Sequence, residues 1–244
     1  PMHLYGSPSY TKFATPVFQM IASRGCPYGC AYCINAVKDV SIKYRKRSVS
    51  LVADEMEYLI EKYSARQIQF WDPIFPLGGK HAQEFCREIG KRNIHKKIVW
   101  NSTTYSELLD EETVAMLAEH SCKGLGFGVE SGSLELLKSV NKKANYDHLR
   151  KICAVARKNG IVVAGSFILG FPGETEKTAK MTIDLAKSLD IHYAQFSLMI
   201  PYPGTPLYDQ LSAAGKIFDS EEEDFIRYNQ SVGITENQPV YIPN

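Results

Sequence analysis

The chain has 244 residues, of which 44% are hydrophobic and 23% charged, values ordinary for one globular domain with a buried core. A net charge of +1 gives no expectation of nucleic acid or a membrane surface as a partner, and no apolar run approaches the ~20 residues that span a bilayer. Six cysteines without a secretory signal or an even-spaced framework indicate a reducing compartment, so we expect a cytoplasmic protein.

Hydrophobic periodicity divides the chain into a core and two irregular ends. Residues 1–16 are turn-rich and are predicted to be a leader that crosses the domain surface, and residues 214–244 are predicted to be an irregular tail. Residues 17–213 form the predicted core domain. Short apolar runs within it predict six strands, over residues 17–23, 67–71, 98–102, 124–129, 161–169 and 193–200.

Helical spacing of apolar residues fills the intervals between these strands. The predicted helices cover residues 51–63, 81–92, 110–120, 134–140, 146–158, 175–189 and 207–214, with Asp110 and Thr175 as N-caps. Strands that alternate with helices predict a parallel sheet, which either curls into a barrel or winds doubly. Six units are too few for a closed eight-stranded barrel, and ligands of parallel sheets gather at the carboxyl ends of the strands.

Three cysteines follow the first predicted strand with the spacing Cys-x3-Cys-x2-Cys, at Cys26, Cys30 and Cys33. Three thiolates from one short loop suit a soft metal or an iron–sulfur cluster, and a four-iron cluster would keep one iron without a protein ligand. The alternatives are disulfides, a structural zinc site and buried cysteines that act as small hydrophobes. Packing is the predicted role of the other cysteines, which are Cys86, Cys122 and Cys153.

The cysteine spacing, with the aromatic Tyr32 before the last cysteine, resembles the cluster loop of the radical S-adenosylmethionine enzymes. The resemblance implies a [4Fe–4S] cluster, S-adenosylmethionine bound at its free iron, and a partial (β/α)6 TIM-like barrel. It also implies reductive cleavage of S-adenosylmethionine to methionine and a 5′-deoxyadenosyl radical that abstracts hydrogen from a substrate. An electron donor such as flavodoxin or ferredoxin and a small-molecule or peptide substrate are the partners it implies.

Several polar residues at predicted strand ends are candidates for cofactor binding on the same resemblance. Asp72 follows the second strand, although an Asp before a Pro is also an ordinary turn residue. Glu130 and Ser131 lie in Gly-Val-Glu-Ser-Gly, which is similar to the fourth-strand segment of the family. The glycines spaced before them also invite a dinucleotide-binding interpretation, which we reject because they lie within the strand.

Three further candidates lie later in the chain. Lys142 resembles by position the basic residue that neutralises the cofactor carboxylate in some relatives, and an ordinary helix-terminal lysine is the alternative. Ser166, in the segment that is similar to the fifth-strand motif, is placed to reach ribose. Gln195, on the sixth strand, faces either the pocket or the core.

Other segments resemble one branch of this family, in which a preceding domain holds cobalamin. They are the Arg-Gly-Cys-Pro-Tyr opening of the cysteine loop, residues 44–48 and residues 171–175. Sixteen residues before the first strand cannot form a cobalamin domain, so we expect either an excised catalytic core of a methyltransferase or an enzyme without cobalamin. Tyr105 stands where many such relatives carry Arg. The alternatives are a methylthiotransferase and a metal-binding scaffold without catalysis.

Overall fold

The structure is a computed structural model that describes residues 12–37 and 44–217. Within these residues a parallel sheet of six strands is the central element, and a two-stranded antiparallel ribbon lies beside it. The strands are β1 (Val17–Met20), β2 (Ser23–Arg24), β3 (Arg45–Lys46), β4 (Gln67–Phe70), β5 (Val99–Thr104), β6 (Cys122–Glu130), β7 (Val162–Leu169) and β8 (Tyr193–Leu198). All six predicted strands form, and the β2–β3 ribbon was not predicted.

Helices occupy the intervals between the parallel strands, as the apolar periodicity predicts. The side chain of Asp110 accepts a hydrogen bond from the Thr113 amide at 2.8 Å, and that of Thr175 accepts one from the Thr178 amide, so both are N-caps as predicted. The helices are α1 (Val49–Tyr63), α2 (Gly78–Lys91), α3 (Glu111–Glu119), α4 (Leu134–Ser139), α5 (Tyr146–Lys158), α6 (Glu176–Ser188) and α7 (Pro206–Ala213).

The order of the strands decides between the two predicted architectures. The sheet runs β1-β4-β5-β6-β7-β8, with every neighbouring pair parallel. A doubly wound sheet reverses its order at a switch point, whereas this sheet adds each strand on the same side of the preceding one. The fold is therefore a partial (β/α)6 barrel of the TIM type, and the predicted fold class is confirmed.

The main hydrophobic core lies between the outer face of this sheet and the helices. Its largest fully buried side chains include Trp100, Phe75 and Phe85, whose rings pack edge to face. A second, smaller cluster lies at the carboxyl end of the sheet, and its members are Leu136, Val140, Phe171, Met199, Leu207 and Leu211. This second cluster supports the loops in which the candidate site residues lie.

The inner face of the sheet carries several polar side chains, and residues of the described chain close its amino end. Gln67 is buried at the amino end, where its side-chain amide donates to Asn101 at 2.7 Å. Its carbonyl oxygen accepts from the backbone amides of Phe13 and Ala14 at 2.7 and 3.0 Å, so residues 12–16 of the predicted leader lie across this end. Higher on the same face, Ser166 is exposed. The carboxyl end, called the mouth below, is therefore the accessible side of the sheet.

The remainder of the predicted leader and of the predicted tail lies outside the described residues, which begin at Lys12 and end at Ile217. No helix within the described ranges is long and apolar enough to cross a bilayer. Domain boundaries at residues 17 and 213 stay predictions.

Candidate functional site

The cysteine loop, residues 26–33, leaves β2 at the mouth of the sheet. Gly25 precedes it with a φ of 78°, a left-handed conformation that suits glycine and turns the chain into the loop. Cys26, Cys30 and Cys33 are free and half-buried, unlike the other three cysteines, which are buried. The three predicted metal-binding thiols therefore lie together in the accessible part of the molecule.

The thiols influence one another electrostatically. Burial raises the pKa of Cys26 and of Cys30, and the negative charge of Cys33 raises both further. The positive charge of Lys142 acts in the opposite direction on both pKa values. A metal centre binds the deprotonated thiolates, and the positive charge of Lys142 favours that form.

A cluster and a single metal ion place different demands on the three cysteines of the loop. Over residues 12–37 and 44–217, no three His, Cys, Asp or Glu side chains are placed to hold one metal ion. The ligands of a zinc site surround one centre. A four-iron cluster binds each cysteine through a different iron, so its cysteines need not converge on a point. Cys26, Cys30 and Cys33, which come from one loop, suit the separate irons of a [4Fe–4S] cluster.

Backbone hydrogen bonds fix the position of the cysteine loop on the mouth. The amide of Ala31 donates to the carbonyl of Val140 at 2.8 Å, and its carbonyl accepts from the amide of Leu207 at 3.0 Å. The side chain of Asn141 donates to the carbonyl of Gly29 at 2.8 Å. The residues that follow α4 and the first turn of α7 thus hold the loop in place by hydrogen bonds.

Glu130 and Lys142 form an ion pair beside the loop, with 3.5 Å between the carboxylate and the ammonium. Their side chains are only 13% and 9% exposed, so the pair is largely withdrawn from water. The Lys142 ammonium also lies 5.0 Å from the ring centroid of Tyr105, within the range of a cation–π interaction. The structure therefore brings together two predicted site residues and adds Tyr105, which was noted only as a departure from a family pattern.

The backbone at the end of β6 is strained to place this pair. Glu130 has a φ of 69°, a left-handed conformation uncommon for a residue with a side chain, directly after an irregularity in the β6–β7 register. A Cβ on Gly128 would lie 2.5 Å from the Glu130 carboxylate and 3.5 Å from the Lys142 ammonium. Glycine at position 128 therefore leaves the space that the ion pair occupies.

Tyr32 is a residue of the cysteine loop, and its side chain faces the Glu130–Lys142 pair. Burial raises the pKa of its hydroxyl well above the usual range, and the charges of Glu130 and Cys30 add to the effect. The hydroxyl stays protonated and is a hydrogen-bond donor to Glu130. Its ring packs edge to face on Phe171, with 5.5 Å between centroids. The tyrosine thus connects the second hydrophobic cluster to the polar part of the site.

Two of the predicted cofactor-binding residues, Asp72 and Ser131, are buried and form hydrogen bonds with other residues of the protein. Asp72 is buried, accepts a hydrogen bond from the Ala22 amide at 3.0 Å and accepts another from the Ser23 hydroxyl. Burial raises the pKa of its carboxyl group, and the hydrogen bond from Ser23 opposes the rise. Asp72 therefore braces the chain between β1 and the cysteine loop.

Ser131 is fully buried on the outer side of β6, with its hydroxyl 3.3 Å from that of Thr182 on α6. The Ser131 hydroxyl also accepts from the amide of Ser133 at 3.1 Å. Gly132 explains this packing, because a Cβ there would lie 2.3 Å from the backbone carbonyl of Met181. The contacts of Ser131 are those of a residue that fastens α6 to the sheet.

Ser166 and Gln195 lie side by side on neighbouring strands. They are paired in the parallel register of β7 and β8, and both side chains are exposed. Ser166 is also the register partner of Gly128 on β6. These two polar groups therefore belong to the inner face of the sheet, on the strands beside Gly128, against which the Glu130 carboxylate lies.

Comparison with known proteins places this arrangement in a family. A family model described as the radical SAM superfamily matches residues 20–186. The chain is 32% identical over 200 residues to an uncharacterized methyltransferase of Pyrococcus horikoshii and 30% identical over 227 residues to bacteriochlorophyllide d C-12(1)-methyltransferase of Chlorobaculum tepidum. These matches cover 82% and 91% of this chain but 43% and 48% of the relatives. The chain thus spans less than half the length of these curated relatives.

Solved structures show the same fold. The methyltransferase TsrM of Kitasatospora setae, with cobalamin and a [4Fe–4S] cluster bound, matches 81% of this chain with a TM-score of 0.72 and 24% identity, over 37% of its own length. The enzyme OxsB, with aqua-cobalamin and S-adenosylmethionine bound, matches 84% of this chain with a TM-score of 0.70 and 16% identity, over 37% of its own length. At these identities the likeness concerns the fold alone.

Proposed function

The chain belongs to the radical SAM superfamily, and from this premise we propose that it is the catalytic core of a cobalamin-dependent methyltransferase. The observation that carries the proposal is the cysteine loop at the mouth of a partial barrel, next to a withdrawn ion pair of Glu130 and Lys142. Methyltransferases among the relatives support the reaction class. Free, half-buried thiols need a reducing compartment, so we place the protein in the cytosol.

Cys26, Cys30 and Cys33 would hold the cluster, which in this family supplies the electron that cleaves S-adenosylmethionine to methionine and a 5′-deoxyadenosyl radical. The residues around the loop would bind the methionyl end of S-adenosylmethionine. The ammonium of Lys142 matches its carboxylate, and the carboxylate of Glu130 matches its amino group. Because the two side chains already neutralise each other, they can exchange their partner for a zwitterion without leaving a buried charge unpaired.

The inner face of the sheet would take the rest of the ligand. Ser166 and Gln195 offer a hydroxyl and an amide next to each other, and both groups suit the hydroxyls of ribose. Gly128 is in register with Ser166 and leaves room for the Glu130 carboxylate, so the ion pair lies next to these polar groups. Asp72 would act indirectly, by holding Ala22 and Ser23 so that the cysteine loop leaves the sheet at the mouth.

Anaerobic reconstitution with iron and sulfide, followed by dithionite reduction with S-adenosylmethionine, tests the radical chemistry. We expect roughly four irons per chain and formation of 5′-deoxyadenosine. Cys30→Ala should lose most of the iron and all of the product, whereas the matched variant Cys153→Ala, which removes a core thiol, should keep both. A colourless, zinc-loaded protein without product would instead leave a metal-binding scaffold.

The methyl-transfer step needs a separate measurement on the full-length protein. Retention of cobalamin and transfer of a labelled methyl group to a small molecule or peptide are the expected results. The methylthiotransferase alternative has its own support in a 26% identical relative, the ribosomal protein uS12 methylthiotransferase of Acetivibrio thermocellus. Transfer of a methylthio group to ribosomal protein or RNA, without cobalamin, would decide for that alternative.

A further inference from the structure

The β2–β3 ribbon carries a cationic cleft next to the cysteine loop. The cleft has a volume of about 350 Å³, which is within the size range of binding sites. Four of the residues that line it are basic, and two of these, Arg24 and Arg45, are directly opposite each other in the ribbon. The lining residues are Ile21, Ser23, Arg24, Arg45, Lys46 and Arg47.

Two of the four basic residues of this cleft, Arg24 and Arg45, have no carboxylate partner within the part of the chain that the structure describes. Like charges directly opposite each other on two antiparallel strands are destabilising. Among residues 12–37 and 44–217, neither Arg24 nor Arg45 forms an ion pair with a carboxylate. Lys46 reaches Glu84 only at 3.6 Å, with both side chains more than a third exposed, so that pair contributes little. The ribbon therefore presents positive charge that an anionic partner would stabilise.

Arg47 fixes the position of the β2–β3 ribbon through hydrogen bonds to neighbouring segments. Its amide donates to the carbonyl of Ala22 at 2.9 Å, and its guanidinium donates to the carbonyl of Ile21 at 3.1 Å and to Glu55 at 2.5 Å. One arginine is thus used to fasten the ribbon to β1 and α1. The side chains of Arg24, Arg45 and Lys46 are presented on a fixed support.

We propose that the β2–β3 ribbon is the docking surface for an acidic protein that donates single electrons. The proposal rests on the proposed function, because each reductive cleavage of S-adenosylmethionine consumes one electron. Arg24 lies two residues before Cys26 in the chain, so the two Cα atoms are at most about 7 Å apart. A donor seated on the ribbon is therefore adjacent to the cysteine loop. The donor is oxidised by one electron and the enzyme is reduced by one, with no atom exchanged.

The composition of the surface suits a protein partner. Ile21 is 46% exposed in the cleft, so an apolar side chain lies among the basic ones, as in interfaces with an apolar centre and a polar rim. The net charge of the whole chain is only +1, so the positive field is a local property of this face. Opposite charge on the partner would accelerate encounter and orient the donor toward the loop.

Charge reversal at Arg45 tests the docking surface, with Lys97→Glu as the matched control. Lys97 is also exposed but precedes β5, at the amino end of the sheet, and its reversal changes the net charge by the same amount. The binding of a reduced acidic flavodoxin to the reconstituted 244-residue chain is measured for each variant. We expect Arg45→Glu to weaken binding roughly tenfold at about 50 mM salt and far less at about 500 mM.

The electron source separates this proposal from the proposed function. With dithionite, Arg45→Glu should form 5′-deoxyadenosine at the wild-type rate, whereas with flavodoxin its rate should fall with the binding. Failure of all variants with dithionite would refute the radical chemistry and not the binding result. Equal flavodoxin binding by wild type, Arg45→Glu and Lys97→Glu would overturn the docking surface. Equal weakening by both reversals would also overturn it, because the effect would then be one of net charge. The neutral variant Arg45→Gln, with a smaller loss of binding, guards against misfolding of the reversal.

Discussion

The loop cysteines and the core cysteines are the same residue in opposite surroundings. The loop places its three thiols, half-buried, at the mouth of the sheet beside Lys142. The other three are buried on α2, β6 and α5 among apolar side chains, and burial is the largest cause of their raised pKa values. Spacing in the sequence separated the two groups, and the topology gives the reason, since only a loop after a strand reaches the mouth. A residue type acquires its chemistry from its place in the fold.

Thiol labelling gives the largest expected contrast between the two groups. Burial raises the pKa of Cys86 and of Cys153 to about 12, so at pH 8 only about one in 10⁴ of these thiols is a thiolate. In the folded protein without metal, we expect iodoacetamide to modify the three loop thiols at least ~10³ times faster than the core thiols.

Peptide mass mapping after timed quenching would measure these rates, and labelling in denaturant, where all six thiols should react alike, is the control. Rapid modification of Cys153 in the folded protein would contradict the comparison. Protection of the loop thiols after reconstitution with iron would sharpen it, because bound thiolates no longer react.

Two glycines at the end of β6 give a similar comparison between a residue of the candidate site and a residue of the packed core. Gly128 and Gly132 lie four residues apart at the end of β6, but a Cβ would meet different atoms at each position. At Gly132 it would collide with the backbone of Met181, which α6 cannot move, so Gly132→Ala should destabilise the protein by about 2–4 kcal/mol. At Gly128 it would meet the end of the Glu130 side chain, which can rotate away but then weakens its ion pair with Lys142, so Gly128→Ala should cost less, about 1–2 kcal/mol.

Urea unfolding of both variants measures this difference. Gly128→Ala should lose less stability than Gly132→Ala. It should still bind S-adenosylmethionine more weakly, because displacement of Glu130 breaks its ion pair with Lys142. Equal loss of stability in the two variants would contradict this prediction. It would show that Gly128 and Gly132 are equally important for packing at the end of β6.

The sequence predicts the strands, most helices and the cysteine loop because each depends on local patterns. Asp110 and Thr175 were assignable as caps, since a cap is a matter of a few neighbouring residues. The β2–β3 ribbon was not predictable, because two-residue strands leave no periodicity to detect.

Side-chain direction is where local patterns are least informative. Glu130 and Ser131 were indistinguishable as adjacent polar residues at a strand end. The left-handed φ of Glu130 and the register irregularity beside it send one side chain to Lys142 and the other into α6. Asn141 was passed over although it lies next to a predicted site residue, because its contact with Gly29 joins segments 112 residues apart.

Two adjacent lysines, one in the candidate site and one exposed, give the most specific test, with the smallest expected effect. Lys142 is 9% exposed and paired with Glu130, whereas the neighbouring Lys143 is exposed. Lys142→Met keeps the length of the side chain but removes the charge that would meet the carboxylate of S-adenosylmethionine. Loss of one charge-assisted hydrogen bond should weaken binding roughly 10- to 100-fold.

Titration calorimetry of S-adenosylmethionine into the reconstituted protein measures this loss, and iron content, which we expect to be unchanged, shows that the cluster is intact. Lys143→Met should bind within about twofold of wild type, since an exposed lysine contributes little. Equal affinity of the two variants would remove Lys142 from the binding site. If Lys142→Met instead lost iron, the lysine would support the thiolates of Cys26 and Cys30, whose charges it already offsets, and the ion pair would belong to the cluster and not to the ligand.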